Sequence, residues 1–207
     1  MKRGTPGNEV LPASGGDLPL VEARTREAWR AWLEENYARS GSIWLVYYKK
    51  ASGKGTLDYD AIVEEALCFG WVDSVPRKLD DERAMLRISP RRPGRAWSRV
   101  NKARVERLVA EERMTPAGME KVEAAKRDGS WAALDEVEAM VMPPDLAAAL
   151  GADPVARANF EAFPPGSRKI ILGWIAGAKR AETRAARVAE TVRLAHADVR
   201  ANHWRKP

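Results

Sequence analysis

Cysteine occurs once, at Cys68, so no intrachain disulfide can staple the fold. Histidine occurs twice, at His196 and His203, both near the C-terminal end with no cysteine or paired carboxylate at ligand spacing, and no metal site is expected. Long apolar runs are missing as well. No 18-residue hydrophobic stretch occurs, and MKRGTPGNEVLPASGGDLP at the start is polar and glycine-rich rather than a basic segment leading into an apolar one. The chain is therefore expected in the cytoplasm with no membrane partner. Glycine-rich nucleotide loops are absent: SGKG at 52–55 lacks the longer spacing of a phosphate-binding loop, and no GxGxxG occurs. No cofactor is expected.

Tryptophan and arginine are plentiful. The chain has 207 residues, 45% of them apolar and 31% charged, which suits a globular protein whose core needs no metal support. Eight tryptophans recur from Trp29 to Trp204, too widely spread to form one stacking platform. Charge is concentrated instead. Residues 77–104 hold ten Arg and Lys against three acids, a local excess of seven in a chain whose formal net charge is +6. The remainder is about neutral, and such crowding calls for a compensating anion.

Residues 1–20 carry four glycines and three prolines and read as a disordered or loosely docked arm. A first helix is expected from about Glu22 to Ala38, with Trp29, Trp32 and Leu33 on one face. IWLVYYKK at 43–50 reads as a central strand covered on both faces. Asp58 is placed to cap a helix that Gly70 ends. Trp71 to Val75 and Arg83 to Ser89 read as two short strands, the first either placed at an edge or ended by Pro76, the second with Arg83, Met85, Arg87 and Ser89 on one side. From Trp97 onward the pattern is helical, with starts at Thr115-Pro116, Ser130, Asp153-Pro154 and Ser167 and a last helix over about 182–198. The class is α+β: a small antiparallel sheet with helices in the N-terminal half and a helical C-terminal half. Boundaries are expected at 1–20 for the arm, 21–142 for an α+β domain and 143–200 for a helical region packed on it or forming a small subdomain.

Five strings together resemble one bacterial family: ALCFGWVD at 66–73, SPRRP at 89–93, WSRVN at 97–101, RMTPAG at 113–118 and WIAGAKRAETRAARV at 174–188. They are similar to the YdeI/OmpD-associated proteins, often labelled bacteriocin-protection proteins, over about residues 29–195. The resemblance implies a part in resistance to antimicrobials or stress and supplies no catalytic set. It also gives Lys179, Arg180 and Arg184 a place in the same groove as the basic stretch, by analogy alone.

Within that stretch, Trp97, Asn101, Val105 and Leu108 follow helical spacing, so Asn101 lies in an inward stripe and needs a partner. It either ties down the SPRRP loop or, with Ser98, faces a pocket beside Arg87, Arg91 and Arg92, whose planar guanidiniums suit carboxylates and phosphates. Asp73 shares a strand face with Trp71 and reads as an ion-pair partner of Arg87 rather than a general base. Cys68, at the negative end of its helix and one turn from Glu64, reads as structural rather than nucleophilic.

The preferred reading is a non-catalytic protein that holds an anionic or aromatic small molecule in a cleft walled by Trp71, Trp97 and the arginines. Nucleic-acid binding through residues 77–104 is the alternative, and an enzyme with an unrecognised site a second one.

Overall fold

The computed structural model describes residues 18–202 together with the strand Val10–Leu11. The chain divides into two compact units, residues 1–131 and 132–207. The first carries a five-stranded sheet in the order β1-β2-β3-β5-β4: β1 (Val10–Leu11), β2 (Leu20–Glu22), β3 (Ile43–Tyr48), β4 (Trp71–Lys78) and β5 (Arg83–Pro90). With it go α1 (Arg26–Asn36), α2 (Tyr59–Cys68), α3 (Arg99–Ala110) and α4 (Pro116–Arg127). The second unit holds α5 (Asp135–Glu138), α6 (Pro144–Gly151), α7 (Pro154–Ala162), α8 (Pro165–Ala176) and α9 (Ala181–His196). The chain is thus α+β, its small sheet confined to the N-terminal half.

β3 is the central strand, as its unbroken apolar sequence requires. On one side it pairs antiparallel with β5, from Ile43 opposite Ile88 to Tyr48 opposite Arg83; on the other it pairs in parallel with β2. The sheet therefore has one parallel pairing among antiparallel ones. β2 occupies residues read from sequence as the end of an arm and the start of a helix. Helix α1 begins later because Thr25 caps it, its side chain accepting from the Ala28 amide. The rest of the expected arm, residues 1–9 and 12–17, lies outside the described residues, as do His203 and Trp204. Strand β4 forms an edge, and its register is irregular between Asp73 and Pro76, where the proline lacks an amide to donate.

Side-chain alternation gives the sheet two different faces. Ile43, Leu45, Leu86 and Ile88 join the main core with α1 and α2, while Leu20, Trp44, Val46 and Met85 form a small separate cluster. Arg87 stands directly opposite Trp44 in register, and the Arg77 guanidinium lies 4.7 Å from the centre of the Trp44 ring.

Helix α2 organises the first unit. Asp58 caps it through the Ala61 amide at 2.8 Å, and every residue from Ala61 to Cys68 is buried, Glu64 and Glu65 among them. Burying two carboxylates is costly unless each is paired. Glu65, with no exposed surface, accepts from Arg26 Nε at 2.6 Å, from Arg30 Nη1 at 2.8 Å and from Arg113; Glu64 accepts from Arg26 Nη2 at 2.7 Å and from Arg107. α1, α3 and the segment after α3 are thereby tied to one helix. At its far end Gly70 adopts φ +73°, and α4 arrives so close that Gly118 has no room for a Cβ against the Cys68 carbonyl, which accepts from Thr115 Oγ1 at 2.6 Å.

In the second unit Leu146, Leu150, Phe160, Ile171 and Ile175 form the core against α9. Asp153 caps α7 through the Ala156 amide, as expected. α8 starts earlier than expected: Pro165 stands in its first turn, where a missing amide costs nothing, and Ser167 is buried inside the helix rather than capping it.

Glu65→Ala would remove the buried carboxylate that Arg26, Arg30 and Arg113 share, and a stability loss of about 3 kcal/mol is expected in urea denaturation.

Candidate functional site: a cationic hollow beside the sheet

The loop after β5 is built around Arg91. Its amide donates to the Gly70 carbonyl at 2.9 Å, anchoring the loop to the end of α2. The guanidinium then turns back over Trp97, 3.7 Å from the ring centre, and Nη2 donates to the carbonyls of Arg95 at 3.2 Å and Ala96 at 2.7 Å. Residues 91–96 close on themselves through one side chain. Arg91 is only 8% exposed, so its guanidinium serves its own loop rather than standing open to a ligand as Arg87 and Arg92 do. Burial lowers its pKa to about 10, and its Nε is buried without a partner. Trp97 is held from the side by Trp131 at 5.0 Å, and its amide donates to the Ser130 carbonyl.

With Arg91 spent on the loop, Arg92 and Arg95 project outward, and Arg87 reaches the same side from β5. These three, with Ser74 and Ser89, line an open hollow of about 710 Å³ whose back wall includes Arg91. Among the described residues none of Arg87, Arg92 and Arg95 has a carboxylate partner. Neighbouring cations differ: Arg83 pairs with Asp80 and Glu22, Lys78 with Asp81, and Arg104 with Asp60. Unpaired guanidiniums at a shared opening can take a carboxylate or phosphate in bidentate fashion.

The other residues singled out from sequence lie elsewhere. Trp71 and Trp97 are each 1% exposed and sit in the main core, and the Trp71 indole N–H donates to the Tyr37 carbonyl. Ser98 caps α3 through the Asn101 amide, and Asn101 Oδ1 accepts from Arg104 rather than from the SPRRP loop. Asp73 accepts from the Tyr59 hydroxyl at 2.7 Å instead of pairing with Arg87; burial first, then this carboxylate, pushes the phenol up to about 12. Lys179 and Arg180 are exposed residues of the second unit just before α9, where Arg184 holds Asp145 with two bonds of 2.6 and 2.9 Å. Arg95, which also lines the hollow, was not among the sequence candidates.

Cys68 is fully buried. Burial, with Glu65 beside it, pushes the thiol up to about 11. Among the described residues no group of three or more His, Cys, Asp or Glu is placed to hold a metal, and no helix is long and apolar enough to cross a membrane.

Two family models match the chain. Residues 139–197 match the family described as bacteriocin-protection, YdeI or OmpD-associated, the family that the sequence strings resemble. Residues 21–121 match a domain of unknown function, DUF8412. The family segment thus lies in the second unit, while ALCFGWVD, SPRRP, WSRVN and RMTPAG fall in the other model's range, so the likeness read over residues 29–195 is shared between two models. No curated protein and no solved structure matches the chain.

Two outcomes follow from the loop and the thiol. Arg91→Ala should cost about 2 kcal/mol in thermal or urea unfolding, through lost charge-assisted bonds and the contact with Trp97, whereas Arg92→Ala should change stability by less than about 0.5 kcal/mol. The unfolded thiol ionises at its ordinary pKa of about 8.5 and the native one at about 11, so raising the pH between these values favours the unfolded chain. Native protein at pH 8 should accordingly leave a disulfide reagent unreduced until denaturant is added.

Proposed function

We propose that the chain is a non-catalytic protection protein that retains an anionic small molecule in the cationic hollow of its first unit. The family match at residues 139–197 supports a bacteriocin-protection-type role. The observation that carries the finer reading is the set of three exposed guanidiniums, free of carboxylates among the described residues, around one opening. An anion placed there meets donors on several sides and relieves the mutual repulsion of the arginines. Sequestration needs no acid–base pair, and the nearest carboxylate candidate, Asp73, is engaged by Tyr59. The aromatic part of the expected cleft has no role in this reading, because Trp71 and Trp97 are enclosed in the core.

The test is native mass spectrometry of the protein taken from its producing cells, set beside the Arg87→Ala/Arg92→Ala/Arg95→Ala variant. A small-molecule adduct on the wild type that the variant loses is expected. An adduct unchanged in the variant, or none at all, overturns the reading. Titration with duplex and single-stranded oligonucleotides serves as the contrast: saturable binding that weakens steeply with salt and vanishes in the variant would replace the small molecule with a nucleic acid.

A further inference from the structure

The polar groups of the cationic hollow fall into two sets, and each suits a different part of a ligand. Guanidiniums form the first. Arg87, Arg92 and Arg95 are exposed at the opening, and Arg91 lines the same hollow from a buried position. Arg91 bonds to two carbonyls and lies against an indole face, but among the described residues no carboxylate bonds to it, and its Nε has no partner. Asp73 attracts it from a distance while bonded to Tyr59. Burying a cation without a paired counter-charge is costly. Positive groups on every side of one space are offset poorly by a single negative charge and better by a doubly charged group.

Hydroxyls form the second set. Ser42, Ser74 and Ser89 line the hollow from the chain entering β3, from β4 and from β5. Register brings them together. Trp44 stands opposite Arg87 and Val72 opposite Ser89, so that Ser42, two residues before Trp44, shares the sheet face of Arg87 and Ser89. The Ser74 hydroxyl donates to the Arg87 carbonyl at 3.3 Å and keeps its lone pairs open. Ser42 and Ser89 are half-buried, and among the described residues their hydroxyls have no hydrogen-bond partner. A serine hydroxyl both donates and accepts, which matches the hydroxyls of a sugar or polyol.

Stacking surface is what the hollow lacks. No aromatic ring is among the described residues that line it, and Trp44, on the same face of the sheet, is 5% exposed beneath the Arg77 guanidinium. A nucleobase or aryl group would find no ring to lie on.

We propose that the hollow takes the phosphate monoester of a small polyhydroxy molecule, a sugar or polyol phosphate, with the phosphoryl group among the guanidiniums and the hydroxyls of its carrier against Ser42, Ser74 and Ser89. This deepens the reading of the hollow as an anion site and rests on it. A phosphate monoester brings about two negative charges and three acceptor oxygens at neutral pH. Carboxylates, sulfate esters and the phosphodiesters of nucleic acid are singly charged.

The probes are glucose 6-phosphate and ribose 5-phosphate, titrated calorimetrically into the full chain at pH 8 in a phosphate-free buffer. Saturable one-to-one binding is expected. Glucose 6-sulfate, which keeps the shape and halves the charge, should bind about fivefold or more weakly than glucose 6-phosphate. Methyl phosphate, which keeps the charge and lacks the hydroxyls, should also bind several-fold more weakly. Ser42→Ala/Ser89→Ala should erase the advantage of the sugar phosphates over methyl phosphate, and Arg87→Ala/Arg92→Ala/Arg95→Ala should abolish binding, with circular dichroism to verify that both variants are folded.

The proposal is overturned if neither sugar phosphate binds saturably, or if binding survives in the folded arginine variant. Equal affinity for the sulfate would leave an anion site and strike the phosphate; equal affinity for methyl phosphate would leave a phosphate site and strike the polyhydroxy carrier. The underlying anion reading fails separately, by the native mass spectrum: an adduct that the arginine variant loses keeps it even where both sugar phosphates fail to bind.

Discussion

Two adjacent buried carboxylates dictate how the first unit is assembled. Glu64 and Glu65 sit on a helix enclosed along most of its length, and each must find cations that other elements deliver: Arg26 and Arg30 from α1, Arg107 from α3, Arg113 from the segment beyond. Such clusters contribute little net stability compared with well-packed apolar side chains, yet they penalise any arrangement in which a carboxylate is left alone. They therefore select one packing of α1 and α3 around α2. Secondary pairs at the rim, Arg30 with Glu34 and both Arg107 and Arg113 with Glu111, spread the positive charge outward.

That arrangement bears on the hollow through Gly70. The end of α2 offers its carbonyl to the Arg91 amide, so the basic loop starts from a point fixed by the same helix. The basic stretch is then divided by function. Some of its cations are absorbed by nearby acids, Arg91 is turned inward to close its own loop over an indole, and Arg87, Arg92 and Arg95 are left facing water around one opening. Crowded charge in a sequence is one quantity; in the fold it separates into structural and available parts.

How much of this was legible depended on range. The central strand, the caps at Asp58, Thr115 and Asp153 and the edge position of Pro76 follow from local rules, and the chain obeys them. β2 was missed because three residues, Leu20 to Glu22, give too short a period to distinguish a strand from a helix start. The inward turn of Arg91 was invisible because a charged loop residue is ordinarily solvated, and only the arrival of Trp97 beneath it makes burial possible. Asn101 was rightly read as needing a partner, but the choice of Arg104 over the loop is a matter of side-chain reach. Glu65 gave no warning at all, since its three cations come from residues 26, 30 and 113. The placement of Arg87 and Arg92 at one opening was the part of the site that charge density foreshadowed; Arg95 joins them there without having been singled out.

The parallel pairing of β2 with β3 has a protective side. Ile43 to Tyr48 is a six-residue run of aromatic and branched side chains with no proline, glycine or charge, the composition that zips into intermolecular cross-β stacks when an edge is bare. β5 shields one flank and β2 the other, so three residues near the start of the chain act as a gatekeeper. Shortening the polypeptide past Glu22 would uncover that ladder and turn an interior strand into a nucleus for fibres.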